Sequence, residues 1–307
     1  MTGIAATALP LRDDARQAVR AIGIAAGAYA VITLGDAAGK WALLPAGLAA
    51  VMIGRGLSGS LTLLALALIE GDWHRLLPVR WGMVLLRSVM HAATSFAWYL
   101  AWLSASLADT YALGFTAPLI MTLLAVPMLG ERIRWRRALS TLVGFAGVLV
   151  MVRPGRSLWR PALLVLVPGI LGMAMSRIMA RTLSTTETPE CLTFWLMLVH
   201  IPAGLALLLL GQGPGAPLGA ATLLALALLG LFNGTGHWLL ARAYALAPVS
   251  VLAPYEYTPL IWASLFGYLV FADLPNQSTL AGAAVVAAAG LYNLHRERVR
   301  RQEAIGP

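Results

Sequence analysis

Two stretches that repeat one pattern decide the fold, "LADTYALGFTAPLIMTLLAVPMLGE" (107–131) and "PVSVLAPYEYTPLIWASLFGYLVFAD" (248–273). Asp109 and Ser250 stand nine residues before the "PLI" triplet of each copy. After a short polar break, each copy continues into a helix of small residues, "ALSTLVGFAGVLVMV" and "TLAGAAVVAAAGLYNL". The offset of about 141 residues is near half the chain, so the sequence predicts an internal repeat.

The composition is that of a polytopic membrane protein. Of the 307 residues, 59% are hydrophobic and 11% are charged, whereas soluble domains carry roughly 25% charged residues. The chain has one cysteine, Cys191, which excludes an intramolecular disulfide and argues against a cysteine-based metal site.

Apolar runs of about 20 residues are long enough to cross a bilayer as helices, and the chain contains ten of them. The predicted spans are 19–40, 45–69, 80–104, 107–129, 136–153, 160–182, 189–211, 216–243, 248–271 and 277–295. Because each half has an odd number of spans, the second half enters the membrane upside down. The sequence thus predicts an all-α fold of two inverted five-helix repeats, a plan typical of transporters with a site near the midplane.

Arginine placement predicts the orientation, because cytoplasmic segments are enriched in Lys and Arg. With the N-terminus inside, the basic blocks "ERIRWRR" (131–137) and "HRERVRR" (295–301) are cytoplasmic, while the outside segments hold only Lys40, Arg153, Arg156 and Arg160. These blocks directly follow apolar spans, which favours topology control over nucleic-acid binding. The predicted parts are a cytoplasmic segment 1–18, a first repeat 19–153, a loop 154–159, a second repeat 160–295 and a basic cytoplasmic tail 296–307.

The blocks "ALGFTAPL…LGER" and "EYTPLIWASLFGYLVF", with Arg55 in "MIGRGLSGSLTLLALAL", resemble the drug/metabolite transporter superfamily of the EamA type. The resemblance covers about residues 20–294. It implies ten helices, cytoplasmic termini and export of small metabolites, and length and aromatic content resemble the YddG-like amino-acid exporters. Asp273 stands where the family usually has the glutamate of a Gly-Glu pair, as in Gly130-Glu131.

Charged residues inside the spans should face the protein interior, since each costs about 2.5–3.5 kcal/mol at mid-bilayer. Arg55 lies ten residues after Pro45, and its repeat counterpart is near His200. We expect one of two roles for Arg55. It either has a structural role, bonded to backbone carbonyls or paired with a carboxylate of the protein, or it attracts a substrate carboxylate. Arg87 and Arg177 lie nearer the predicted cytoplasmic side, where their side chains are expected to snorkel.

Spans three and eight carry polar and aromatic residues spaced three to four apart, on one helix face. These stripes predict a shared substrate pathway; packing, an interfacial belt or a hydrogen-bonded wall are the alternatives. The predicted pathway residues are His91, Ser95, Trp98 and Tyr99 in span three, and Asn233, His237 and Tyr244 in span eight. Trp102 continues the stripe of span three close to the end of the span, where packing or an interfacial belt is favoured. The histidines lack carboxylates at ligand spacing, so neither a metal site nor a cofactor is predicted.

Four further positions have predicted structural or gating roles. Asp36 and Lys40 are spaced i, i+4 and can pair near the outer end of span one. Pro118 and Pro259 occupy equivalent positions in the two halves, where each can act as a hinge or only as a bend that widens a cavity.

Glu256 is a carboxylate about 12 Å into span nine, counting 1.5 Å per residue from Pro248. Its first-half counterpart is Phe115, so the repeated scaffold does not require it. Glu256 either pairs with an interior cation or faces the cavity, where it would contact a substrate amine or carry a coupling proton.

These features predict a bacterial inner-membrane exporter of aromatic or hydrophobic amino acids. Proton-coupled export of other metabolites or drugs is the first alternative. A lipid-modifying membrane enzyme is the second, and it is disfavoured because the sequence shows no paired carboxylates and no Ser/His/Asp cluster. The expected partners are a small-molecule substrate and the lipid bilayer, without nucleic acid; monomer and homodimer both stay open.

Overall fold

A computed structural model describes residues 11–117, 164–214, 216–246 and 258–305, with residue 255 and scattered positions between 120 and 150. Within these ranges all regular secondary structure is helical. The helices are α1 (Leu11–Ile69), a 3-10 turn (Trp73–Leu76), α2 (Trp81–Trp102), α3 (Leu107–Gly114), α4 (Leu166–Leu183), α5 (Pro189–Leu198), α6 (His200–Leu209), α7 (Ala220–Leu246), α8 (Pro259–Phe271) and α9 (Gln277–Ile305).

Helix α1 contains both of the first two predicted spans, joined by a kink. Pro45 lies inside the helix, and Gly47 has non-helical angles, φ 74° and ψ 167°. Glycine reaches this region without a steric penalty, whereas L-residues rarely adopt it. The apolar part of α1 has 51 residues and would be about 76 Å long if straight, which exceeds the roughly 30 Å hydrocarbon core.

Three helices of the described part are long and apolar enough to cross a membrane: Val19–Ile69, Pro189–Leu209 and Ala220–Ala243. Shorter apolar helices cover Leu166–Ala180, Pro259–Phe271 and Gln277–Ala289. The predicted spans 107–129 and 248–271 are described in part, by α3 and α8, whereas most of 136–153 lies outside the described residues. The helical membrane fold agrees with the prediction, while the count of ten stays a prediction.

The first helix of each predicted repeat packs against the third helix of the other repeat. Helix α1 packs most extensively on α7, and α4 packs on α2. The approach is close in both pairs: a Cβ added at Gly39 would lie 2.8 Å from Leu229, and one added at Gly169 would lie 2.8 Å from Ala97. This reciprocal exchange is the packing expected of two repeats related by a two-fold axis. The core between α1, α2 and α7 is built around residues such as Met52, Tyr99 and Leu229.

Loops meet at both ends of the helix bundle. At one end, which we call the Gln212 end, Ala49 N–H donates to the Gln212 carbonyl at 3.2 Å. At the other, the Glu187 end, the backbone N–H groups of Val79 and Arg80 donate to the Glu187 carboxylate. The loops group as the predicted alternation of spans requires; which end faces the cytoplasm stays a prediction.

Candidate functional site

A buried cation lies between helices of the two repeats. Arg55 is held in the second half of α1 and is 5% exposed. Its Nη1 donates to the Tyr99 hydroxyl at 3.2 Å, and its Nη2 lies 3.4 Å from Nε2 of both His91 and His237. Because α2 carries His91 and α7 carries His237, the guanidinium links the two polar stripes that the sequence singled out.

Asp36 supplies the opposite charge. Its Oδ1 lies 3.7 Å from Arg55 Nη1 and accepts from Asn233 Nδ2 at 3.1 Å, while Oδ2 accepts from the Tyr111 hydroxyl at 2.5 Å. The expectation that Arg55 ties a carboxylate therefore fits this geometry. Hydrogen bonds to both Asp36 oxygens limit the cost of desolvating this buried ion pair, although Arg55 Nε is buried without a hydrogen-bond partner.

The predicted pairing of Asp36 with Lys40 is wrong. Lys40 Nζ donates to the Ala105 carbonyl at 2.9 Å and lies 3.4 Å from Asp273 Oδ2. The i, i+4 rule describes an isolated helix, whereas here Asp36 turns into the bundle and Lys40 turns toward the loops at the Gln212 end. Lys40 thus joins three segments at that end.

Arg55 fixes the tautomer of the two histidines beside it. A guanidinium can only donate hydrogen bonds, so the Nε2 atoms of His91 and His237 accept and their Nδ1 atoms carry the protons. In the described part of the chain neither Nδ1 has a hydrogen-bond partner, and both rings are partly exposed. We call Arg55, Asp36, Tyr99, His91 and His237 the Arg55 cluster. This cluster therefore presents two unused N–H donors.

His200 has a different environment, although it is the repeat counterpart of Arg55. It is fully buried; its Nδ1 donates to the Leu196 carbonyl at 2.8 Å, and its Nε2 accepts from the Ser95 hydroxyl at 2.9 Å. Its ring centre lies 5.7 Å from that of His91. Both ring nitrogens are occupied, so His200 and Ser95 connect α6 to α2 and form part of the wall.

The aromatic residues of α2 divide between wall and core. Trp98 is partly exposed, and its ring centre lies 5.7 Å from that of Tyr111, which is also partly exposed. Tyr99 and Trp102 are buried, and Trp102 Nε1 donates to Thr110 Oγ1 at 3.1 Å. Trp102 is thus a packing residue and not part of an interfacial belt.

Several predicted residues cannot be joined to the cluster. Pro118 and Glu256 lie outside the described residues, and Tyr244 lies in α7 at a position whose side chain is not described. Pro259 is the first residue of α8, where proline is favoured because its missing N–H is not needed. It therefore starts a described helix, and its role as a hinge or a bend stays a prediction.

Sequence reasoning missed or misplaced three polar side chains. Arg87 was expected to snorkel, but it donates to the carbonyls of Ser176 at 3.2 Å and Leu192 at 3.0 Å. Tyr111 was missed, although its place in the repeated block was a usable signal. Glu187 was missed because its partners are backbone N–H groups, which leave no mark in a sequence.

Two other arrangements are weaker candidates for a site. Among the described residues no group of three His, Cys, Asp or Glu could hold a metal ion. A cavity of about 370 Å³ lies at the Gln212 end, away from the Arg55 cluster. Its walls are mostly apolar and offer few polar groups for recognition. The lining residues are Lys40, Trp41, Leu43, Leu44, Pro45, Trp102, Leu103 and Phe271.

The fold and the cluster define a multi-pass helical membrane protein with polar groups buried between two halves. The family model for EamA-like transporters matches residues 20–153 and again 160–294, and the chain belongs to this family. Because this is a family of transporters, membership favours transport over the lipid-modifying enzyme considered from the sequence.

Named relatives carry two different substrates. The chain is 30% identical over 221 residues to the riboflavin transporter of Rhizobium johnstonii, covering 71% of this chain and 72% of that protein. It is 29% identical over 193 residues to the S-adenosylmethionine uptake transporter of Rickettsia bellii, covering 61% of this chain and 63% of that protein. The match thus spans less than two thirds of the Rickettsia protein.

The fold also matches a solved crystal structure. That alignment covers 93% of this chain and 98% of the other, with a TM-score of 0.64 and 17% sequence identity. At this identity the likeness concerns the fold alone. The more specific resemblance to amino-acid exporters stays a prediction.

Proposed function

We propose that this transporter carries a small neutral or zwitterionic metabolite with a planar ring across the bacterial inner membrane, past the Arg55 cluster. The observation that carries the proposal is the pair of unused Nδ1 donors on His91 and His237, one from each half of the chain. N–H donors on two rings whose centres lie 5.4 Å apart suit the carbonyl or carboxylate oxygens of a solute.

The charge of the cluster favours a solute without net charge. Asp36 lies 3.7 Å from Arg55 Nη1, so the two charges largely cancel. Both Arg55 Nη atoms already contact protein groups, and Nε alone, which has no partner, cannot form a bidentate fork with a carboxylate. The earlier alternative, direct attraction of a substrate carboxylate by Arg55, is therefore less favoured than contact through the histidines.

Aromatic side chains next to the cluster suit a flat ring. Trp98 and Tyr111 are both partly exposed, and the Tyr111 hydroxyl is fixed by Asp36. Offset or edge contacts between aromatic rings add about 0.5–1.5 kcal/mol to the burial of their area. A ring-bearing solute would gain this contact while its oxygen atoms meet the histidines.

Three solutes test these ideas because they differ in charge. Aromatic amino acids, the class predicted from the sequence, are zwitterions with a ring; riboflavin, the substrate named for the Rhizobium relative, is neutral and planar. S-adenosylmethionine, named for the Rickettsia relative, carries a sulfonium cation in addition to its zwitterionic part. The neutral cluster favours the first two over the third.

Counterflow in proteoliposomes made with pure protein separates the candidates. We expect riboflavin or an aromatic amino acid, preloaded on one side of the membrane, to accelerate entry of its labelled form from the other side. The same should hold with the sides exchanged, and preloaded S-adenosylmethionine should accelerate entry of its own labelled form less. Repeating the assay with a pH gradient tests proton coupling, and starting the solute on each side compares export with uptake. Flux of S-adenosylmethionine alone would refute the charge argument.

A matched pair of variants tests the histidine contact. His91→Gln places an amide near the Nε2 position and removes the Nδ1 donor, whereas His91→Asn keeps a donor near Nδ1 and loses the contact with Arg55. We expect the Gln variant to lose more flux than the Asn variant at equal folded yield. The opposite order would mean that the Arg55 contact, and not the exposed N–H, is what transport needs.

A further inference from the structure

We propose that Glu187 keeps a gate closed at the Glu187 end. Its carboxylate holds the first repeat against the second, and the gate opens when its two hydrogen bonds break. The inference rests on the proposed function, since a gate has meaning only if a solute passes through the bundle. Three facts carry it: the geometry of the carboxylate, the contacts around it, and the weaker backbone contact at the opposite end.

The carboxylate spans the two halves of the chain. Oε1 accepts from Arg80 N–H at 2.7 Å, and Oε2 accepts from Val79 N–H at 2.9 Å. Glu187 is 6% exposed and lies in the loop between α4 and α5, while Val79 and Arg80 directly precede α2. Hydrogen bonds to a charged acceptor are about twice as strong as neutral ones, so this is a firm link between loops distant in sequence.

Neighbouring bonds extend the link into a clasp. Thr188 Oγ1 donates to the Arg75 carbonyl at 2.6 Å, and Trp195 Nε1 donates to the Leu76 carbonyl at 2.9 Å. The rings of Trp195 and Trp81 meet edge to face, with centres 5.0 Å apart. We call these contacts, together with those of Glu187, the Glu187 clasp.

The opposite end has an equivalent contact with the repeats exchanged. There the loop after α6 meets the kink of α1 through a neutral backbone bond, Ala49 N–H to Gln212 O at 3.2 Å. Two repeats related by a two-fold axis place such loop pairs at both ends. Within this pair of equivalent contacts, the Glu187 end has two charge-assisted bonds where the Gln212 end has a neutral one, and is therefore the stronger. At the Gln212 end, the separate ion pair of Lys40 with Asp273 also links the two repeats.

The clasp can open without leaving a charge buried. Its donors are backbone N–H groups that precede a helix, and its acceptor lies in a loop, so water can replace each partner when the loops separate. Arg55 and Asp36 cannot separate in this way, since both are buried in the middle of the bundle. Reversible opening is therefore a property of the clasp and not of the central pair.

Cys191, the one cysteine of the chain, reports on the clasp. It is buried, and its Sγ lies 3.8 Å from Glu187 Oε2. Thiol reagents can reach it only when the surrounding contacts separate. The rate of Cys191 modification in the otherwise native protein therefore measures opening at this end.

The first experiment compares maleimide labelling of wild type, Glu187→Gln and Glu70→Gln in lipid nanodiscs. Glu70 is a matched control because it is a partly exposed carboxylate at the same end, paired with Arg75. We expect Glu187→Gln to label about tenfold faster or more, the change that loss of one charge-assisted hydrogen bond gives, with Glu70→Gln near wild type. Equal rates for all three proteins, with Glu187→Gln folded, overturn the proposal.

The second experiment decides the matter if Glu187→Gln does not fold. Arg75→Cys and Thr188→Cys are combined with Cys191→Ser and joined by a short, reducible thiol cross-linker. Cross-linking should stop solute flux in proteoliposomes, and reduction should restore it. Unchanged flux in the cross-linked protein overturns the gate, whereas absence of flux in the wild type overturns the proposed function instead.

Discussion

Replacing Asp36 by asparagine removes a charge from the centre of the bundle while keeping its shape. An asparagine at this position can accept from Tyr111 or from Asn233 but not from both, because its amide nitrogen only donates, and Arg55 is left with neutral partners. We therefore expect Asp36→Asn to fold poorly, because an unmatched guanidinium stays buried. The expected loss in free energy of unfolding is about 3–5 kcal/mol, the usual effect of breaking a buried pair.

Burial, and not distance, sets this magnitude. The side chains of Arg55 and Asp36 are 6% and 11% exposed and lie 3.7 Å apart, which gives about 4 kcal/mol of attraction at an effective dielectric constant of 20. Arg75 and Glu70 lie closer, at 3.0 Å, but are 46% and 35% exposed. Water screens that pair, so its removal should cost at most about 1 kcal/mol.

Thermal and chemical unfolding in detergent would measure both changes. Glu70→Gln is the control, and the double variant Asp36→Asn with Arg55→Gln tests whether the unmatched charge is the cause. We expect the double variant to regain most of the lost stability, because no charge then lacks a partner. If Asp36→Asn is as stable as the Glu70 control, the central ion pair does not stabilise the fold.

Three further outcomes are expected. Arg87→Met should lower the free energy of unfolding by about 2 kcal/mol or more, since the charged hydrogen bonds of Arg87 to α4 and α5 are lost. Arg87→Lys should recover only part of this loss, because one ammonium cannot replace the planar guanidinium fork. Thermal melting measures both variants. Gly47→Ala should lower the free energy of unfolding by about 1–3 kcal/mol, because alanine is strained at φ 74°. Gly23→Ala, where the added Cβ meets open space, should be neutral or slightly stabilising in the same assay. A periplasm-only reporter should be silent after Arg301 and active within 212–217, and the reverse pattern would invert the topology.

The polar stripes were predictable because the bilayer restricts where such residues can lie. A charge or imidazole in an apolar span must turn toward other helices, so His91 and His237 on spans three and eight were expected to face a common interior. The structure places both at 3.4 Å from Arg55. Their role in transport stays a proposal, but their convergence required only the helical period and the cost of burial.

Partner choice was not predictable from spacing. Asp36 and Lys40 have the correct i, i+4 separation, yet each finds a partner on another helix or loop, because tertiary contacts outweigh a pair worth about 0.2–0.5 kcal/mol on an isolated helix. The prediction for Arg87 was wrong for the same reason. Its side chain was expected to extend to the membrane surface, but it donates to two backbone carbonyls instead. Residue spacing gives the face of a helix, whereas the partner depends on how helices pack.

The central cluster and the Glu187 clasp have opposite physical requirements, and the proposed transport by alternating access uses both. Arg55 and Asp36 must stay paired whatever the ends do, because separating them would leave charges in a region that excludes water. The clasp can exchange its partners for water, as can the backbone bond between Ala49 and Gln212. In the proposed function, a fixed centre between two ends that separate would let a solute meet the same histidine donors from either side, so that one site would serve both faces of the membrane.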